Sequence, residues 1–343
     1  MPASRRLRIK RLLCSTGFEW PTPPVYRLAH ISDLHLSRVP PIMWRQLANK
    51  RLLGYLSWRV RRHREHLGAI LDALVRDLDA VQPDHVAITG DLVNLALPAE
   101  FAEARAWLAR LGPPESVSLV PGNHDALVRV LPGEGWDHWR AYACSDPGTP
   151  DVDHDFPYLR RRGPLAIVGL STAIPTLPGR ATGRLGADQL ARLDRLLARL
   201  EGGGLCRVLL LHHSPVDGVS GARRRLIDAP ELRRCIAEHG ADLVLHGHEH
   251  AFRFDQIAGT AGPVPVFGMP SASKQAASAD EVAQYCVYDI EGSRSQWRIV
   301  AANRRFVSAS EGFVPGNRRI VARHDDALAL VPEAVGEACR KSA

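Results

Sequence analysis

At 343 residues, 45% of them hydrophobic, the chain can bury a large core, as one large α/β domain or two of ordinary size. Its six cysteines (Cys14, Cys144, Cys206, Cys235, Cys286 and Cys339) show no Cys-x-x-Cys spacing, which argues against a zinc ribbon or disulfide scaffold and fits a reducing compartment. The net charge of +7 is uneven: residues 1–24 carry +4 and residues 36–66 carry +7, which leaves −4 for the remainder.

In chain order, the basic stretch Met1 to Pro24 lacks the apolar core of a secretory signal. No apolar run reaches the roughly 18 residues that a membrane span needs, so a cytoplasmic protein with a basic tail is expected. Short apolar runs then alternate with helical patterns, as in an α/β protein. Strands are predicted at Tyr26–Ser32, His85–Thr89, Val117–Val120, Leu165–Leu170, Arg207–Leu211 and Asp242–Leu245. Helical spacing joins Leu67, Ile70, Leu71, Leu74 and Leu78, and later Leu190, Leu193, Leu196, Leu197 and Leu200, with a stop at Gly202-Gly203-Gly204. After His250 the pattern turns to strands at Ala251–Ile257, Val264–Gly268, Gln284–Ile290 and Gln296–Ala301. A domain over 25–309 is expected, followed by a C-terminal extension over 310–343.

Five polar clusters each sit just past the end of a predicted strand. They are Asp33-Leu34-His35, Gly90-Asp91, Gly122-Asn123-His124-Asp125, His212-His213 and Gly247-His248-Glu249-His250. In open α/β sheets ligands bind beyond the carboxyl ends of the strands, so clusters spread over more than two hundred residues can share one site. In extended backbone residues i and i+2 face the same side, which lets Asp33 act with His35 and His248 with His250. Each cluster alone is weak evidence: Asp91 also suits a helix N-cap, and Asn123 a turn. Together, carboxylate, imidazole and amide donors suit Mn, Fe, Zn or Co better than Mg or Ca.

The order Asp-x-His, Gly-Asp, Gly-Asn-His-Asp, His, Gly-His-x-His resembles the calcineurin-like metallophosphoesterase superfamily over roughly residues 26–252. Within it the chain looks most like the bacterial cyclic-nucleotide and glycerophosphodiester phosphodiesterase branch, although Ser214-Pro215 stands where many of those proteins have two prolines. The resemblance implies a four-layer sandwich, two mixed β-sheets face to face with helices outside. It implies two divalent or trivalent transition-metal ions (Mn, Fe or Zn). Asp33, His35 and His250 would hold the first, and Asn123, His212 and His248 the second, with Asp91 bridging. His213 is the alternative to His212. His124 would face the substrate phosphate, and Asp125 would orient it. The implied reaction is hydrolysis of a phosphodiester or phosphomonoester by in-line attack of metal-bound hydroxide. A nuclease on the same site is the alternative, weakened by the lack of an evident added DNA-binding domain. A non-catalytic scaffold is disfavoured because every signature position is filled.

Two basic segments leave strand ends that carry site residues. In 36–66, Leu52, Leu53, Tyr55, Leu56 and Val60 form an apolar helical stripe, with Arg51, Arg59, Arg61, Arg62, Trp44 and Trp58 around it. Such an element either lies on anionic membrane or packs its stripe on the domain. Arg223-Arg224-Arg225 follows His213. Both are expected to rim the site and to receive an acidic, small or lipid-linked substrate, with Asn123, His124, His213, Arg223 and Arg224 as substrate contacts.

Overall fold

The computed structural model describes residues 25–322 apart from 37–38, 48, 63–64, 150–154, 277, 279 and 294–295. The expected basic tail, Arg38, Arg64, the side chains of Arg61 and Arg62, and residues 323–343 of the expected extension lie outside the described residues. Among the described residues no helix is long and apolar enough to cross a membrane.

The first part of the chain forms β1 (Tyr26–Ile31), α1 (Arg51–Ser57), α2 (Gly68–Val81), β2 (His85–Ile88), α3 (Pro98–Leu111) and β3 (Val117–Leu119). Next come β4 (Tyr158–Arg162), β5 (Leu165–Gly169), α4 (Ala187–Leu200), β6 (Cys206–Leu210), α5 (Ala229–His239) and β7 (Leu243–His246). The last are β8 (Arg253–Ile257), β9 (Val264–Gly268), β10 (Gln284–Ser293), β11 (Gln296–Ser308) and β12 (Gly312–Ala322). One sheet has the order β12-β11-β10-β1-β2-β3, and the other β4-β5-β6-β7-β9-β8. Both are mixed: β1, β2 and β3 run parallel beside an antiparallel β10–β12 meander, and parallel β5, β6, β7 and β9 are flanked by antiparallel β4 and β8.

Strand alternation makes the layers. Leu28, Ala87, Leu165, Ile167, Val208, Leu210, Leu243 and Leu245 meet between the sheets. Their neighbours Ala29, Ile31, Val86 and Ile88 face outward onto Ile70, Leu71, Leu74, Leu78, Phe101 and Leu108 of α2 and α3. On the far side Ala166, Val168, Leu209 and Val244 pack against Leu193, Leu196, Leu197, Leu232 and Ile236 of α4 and α5. A residue shift of one would turn each apolar set to the wrong face, so burial on both faces fixes the register. The result is the expected four-layer sandwich of two mixed sheets flanked by helices.

Two strands escape the apolar-run signal. In β4 three arginines follow Tyr158-Leu159, yet Arg160 is buried because its guanidinium donates to the carbonyls of Cys144, Pro114, Val117 and Ala141. In β12, Gly312, Pro315 and Gly316 interrupt the pattern, and the strand lies at the sheet edge, where proline is tolerated. Pairing of β12 with β11 therefore places residues 312–322, expected in the C-terminal extension, inside the first sheet.

The segment 36–66 contributes a 3-10 turn at Trp44–Leu47, α1, and a π turn at Trp58–Arg62. Of its stripe only Tyr55 packs on the core, while Leu52, Leu53, Leu56 and Val60 remain exposed. Gly54 lets α1 approach Leu95, and Arg51 donates to the carbonyls of Leu95 and Ala96 at 2.9 and 2.5 Å. The helix is thus clamped to the body through its polar and glycine side, and its apolar side is left outward.

Candidate metal centre

The loops after β1, β2 and β3 of one sheet and after β6 and β7 of the other are tied to one another. The Asp33 and His35 N–H groups donate to the carbonyls of Gly90 and Asp91, at 3.0 and 2.9 Å, and the Gly247 N–H donates to His212 at 3.1 Å. The His248 N–H crosses between sheets to Asp33 Oδ2 at 3.0 Å, an oxygen that also accepts from Ser32 Oγ at 2.6 Å. Asp91 Oδ1 accepts the His124 N–H at 2.7 Å. All five predicted clusters are therefore brought together.

The backbone is bent to do this. Asp33, His35, Asp91, His248 and His250 all have left-handed φ, between 41° and 72°. Each such non-glycine residue costs on the order of 1–3 kcal/mol and persists only where its surroundings over-determine it. A Cβ on Gly122 would collide with Asp91 Oδ1 and the Asp91 backbone N, and one on Gly247 with Ser32 Oγ and Asp33 Oδ2. Glycine is needed at both positions so that neighbouring loops can approach.

The donor atoms face one another. Asp91 Oδ2 lies 3.4 Å from His212 Nε2 and 3.9 Å from His35 Nε2, so it stands between the two imidazole groups. His212 Nε2 is also 3.2 Å from Asn123 Oδ1, and its Nδ1 donates to the Thr89 carbonyl at 2.6 Å. His250 Nε2 lies 3.2 Å from Asp33 Oδ1. His248 donates from Nε2 to the Arg224 carbonyl at 3.0 Å, which leaves the lone pair on Nδ1. Ligand atoms of Asp33, His35 and Asp91 come within 4.8 Å of one another, as do those of His35, His66 and His250.

Burial alone would raise both aspartates, but His250 beside Asp33 and His212 beside Asp91 hold them below the ordinary carboxylate value. Burial opposes protonation of His212, yet Asp91 pushes it up to about 9. Buried carboxylate oxygens, an amide oxygen and imidazole nitrogens crowded together require positive charge among them. A proton on His212 meets that need partly, and transition-metal cations meet it fully. The chemistry of this set fits such ions.

His213 is corrected as a substrate contact. It is fully buried, with Nε2 donating to the Ala181 carbonyl at 3.1 Å and Nδ1 2.7 Å from Thr172 Oγ1. Burial and the neighbouring His212 lower its pKa to about 3, so it is a neutral strut behind His212 and His248. Arg223 is corrected likewise: it is exposed, does not line the cavity, and uses its carbonyl to accept the Ala181 N–H. Arg224 does line the cavity, with its guanidinium donating to the His248 carbonyl at 2.5 Å.

Asp125 does not orient His124 as expected. Its carboxylate accepts the N–H groups of Asp91, Leu92, Val93 and Gly122 at 2.8–3.1 Å. Instead His124 Nδ1 donates to the Asn94 carbonyl at 2.7 Å. Glu100, which sequence reasoning passed over, continues the pattern by accepting the N–H groups of Asn94, Leu95 and Leu97. Two carboxylates, one from the loop after β3 and one from the first turn of α3, thus satisfy nearly every amide from Asp91 to Leu97 and fix where Asp91 and His124 stand.

These residues open into a cavity of about 510 Å³. Asp91, Asn123, His124, His248 and His250 line it, along with His66, Arg180 and Lys274, which carried no sequence signal. His66 follows no strand, so a search at strand ends passes over it, and Arg180 and Lys274 belong to no motif. Ser57 at the end of α1 also borders the cavity, which brings the basic segment to its rim.

A sequence model described as calcineurin-like phosphoesterase matches residues 26–252. A probable cyclic nucleotide phosphodiesterase of Synechococcus is 31% identical over 183 residues, covering 52% of this chain and 62% of that protein. A glycerophosphodiester phosphodiesterase of Enterobacter lignolyticus is 28% identical over 195 residues, covering 55% and 57%. The alignments thus span about three-fifths of these curated relatives. A dimetal phosphatase from Danio rerio superposes with a TM-score of 0.54 at 13% identity, covering 88% of this chain and 100% of that one. A purple acid phosphatase from yellow lupin gives a TM-score of 0.55 at 13% identity, covering 88% and 54%. Likeness at that identity shows the fold, and the fold is shared.

Proposed function

The chain belongs to the calcineurin-like phosphoesterase family, and from that footing we propose that it is a metal-dependent phosphoester hydrolase of the phosphodiesterase kind. The observation that carries this is the acceptor-rich cluster on the cavity floor, with Asp91 Oδ2 set between His35 and His212. Asp33, His35 and His250 would hold the first ion in this reading and Asn123, His212 and His248 the second, with Asp91 as the ligand that would serve both. Such an ion pair supplies Lewis-acid stabilisation of the phosphoryl group and activates water at neutral pH.

The chain's own residues do the rest. Asn123 and His124 face the phosphoryl oxygens. Because His124 Nδ1 donates to the Asn94 carbonyl, Nε2 is the atom left for substrate, and the imidazolium form, protonated on both nitrogens, would give its Nε2 proton to the leaving oxygen. Arg180 and Arg224 on the wall can meet an anionic ester, whereas Lys274 is paired with Glu281 at 2.6 Å and Glu65 and Glu249 line the same cavity.

The ester belongs to a small or lipid-linked metabolite. The rim favours the lipid-linked class: Met43, Trp44, Leu52, Leu53, Leu56 and Val60 are exposed on the basic segment, whose Ser57 borders the cavity. Apolar side chains among arginines complement an anionic bilayer surface, and a substrate carried there would reach the cavity without leaving the lipid.

The test is reconstitution. Metal-free protein is loaded with Mn, Fe or Zn and assayed on bis(4-nitrophenyl) phosphate and 4-nitrophenyl phosphate. The same protein is then assayed on cyclic nucleotides, glycerophosphodiesters and lipid-linked phosphodiesters. Turnover is expected to be absent without metal and to return with about two ions per chain. Undiminished turnover by the metal-free protein, or loaded protein that cleaves no ester, would overturn the proposal.

A further inference from the structure

His66 closes the segment that joins β1 to α2. Its ring centroid lies 4.7 Å from that of His35 and 6.1 Å from that of His250. Ring nitrogens of the three approach within 4.8 Å of one another. The residue is only 3% exposed yet lines the cavity.

Hydrogen bonding on its far side sets its tautomer. Ser271 donates its single hydroxyl proton to the Asp33 carbonyl at 2.6 Å. Its oxygen can then only accept at His66 Nδ1, 3.3 Å away, and with Ser273 Oγ accepting from the same atom at 2.8 Å, a proton on Nδ1 serves both contacts. That leaves the lone pair on Nε2. An imidazole anchored by one N–H and offering its other nitrogen is the form that binds a cation. Three nitrogens bound to one ion at about 2.1 Å can all stand no more than about 3.6 Å apart, so a shift of up to about 0.7 Å by each imidazole closes the trio on an ion.

Resting on the dinuclear reading above, we infer that His66 is a third imidazole ligand of the first cation, beside Asp33, His35, His250 and Asp91. The added nitrogen biases that position toward Zn, Fe or Co and away from Mg. It also ties the ion to the basic segment, whose last residue is the ligand and whose helix α1 forms the rim.

The experiment uses the full chain stripped of metal and titrated with Co(II), whose visible absorption reports coordination. Wild type is compared with His66→Gln and His66→Ala, and far-ultraviolet circular dichroism establishes that each is folded. One of the two ions is expected to bind about tenfold or more weakly in both variants, with the other unchanged. The visible band of the weakened site should change in intensity. Ser273→Ala should weaken the same ion to a smaller degree. A folded His66→Gln protein with two ions at wild-type affinity and an unaltered spectrum would overturn the inference, even if turnover fell, because His66 would then act on substrate. Wild-type protein that binds no pair of ions would instead overturn the dinuclear reading, and this inference with it.

Discussion

On the floor of the cavity Asp33, His35, Asp91 and His212 are buried, and their loops are bonded to one another across both sheets. On the rim, Leu52 and Val60 are 45% and 74% exposed, and α1 is fastened mainly through Arg51 and the close approach of Gly54. The two regions meet in one stretch of chain, since the segment that leaves Asp33-x-His35 becomes the rim. Folding explains the floor, because a strained and crowded polar cluster survives only when its surroundings hold it. Folding does not explain the rim, because apolar side chains left in water gain nothing for the isolated molecule. Exposed apolar side chains beside charge are what the proposed bilayer-facing role would use.

The comparison breaks most severely at Asp91. Asp91→Ala should lose its ions and bring turnover down to background, whereas His124→Ala should keep both ions and lose about 10²–10⁴-fold in kcat. Metal analysis alongside steady-state kinetics separates the two. Full turnover by metal-replete Asp91→Ala would remove the bridging role.

Gly122→Ala probes the tightness of the floor with the smallest possible change. The added methyl would press on Asp91, so stability should fall by about 1–3 kcal/mol, with weaker metal binding as well. Thermal unfolding and metal titration read both effects. A variant equal to wild type in each would show that the floor is looser than its contacts imply.

The smallest effect on the folded protein is expected at the rim. Leu53→Asp combined with Leu56→Asp should shift Tm by less than about 2 °C and leave turnover of a soluble ester intact. Co-sedimentation with phosphatidylglycerol vesicles should be lost, and phosphatidylcholine vesicles should bind neither protein. Equal binding of both proteins to the anionic vesicles, or of neither, would detach the rim from a membrane role.

Much of this was legible in the residues. Apolar runs of four to six residues mark most strands, and the polar clusters fall at their ends because a strand must stop before its donors can turn inward. That placement, together with the mix of carboxylate, imidazole and amide, already pointed to one site, with transition-metal cations as its expected occupants. The strands β4 and β12 were not legible, since arginines in one and Gly-Pro-Gly breaks in the other erase the pattern.

Choices between neighbours were left to the tertiary structure. In sequence His212 is set ahead of His213 only by its place directly after the apolar run Val208–Leu211. They part because Thr89 and Asp91 meet the first while Thr172 and Ala181 take both nitrogens of the second. Asp125 reads as a partner for His124 until four backbone amides claim its oxygens, and His66 carries no signal until Ser271 and Ser273 turn it toward His35. Local sequence sets where a strand ends and which donors follow it. The direction of each donor depends on hydrogen-bond partners from loops as much as two hundred residues away, and only the folded chain brings those into reach.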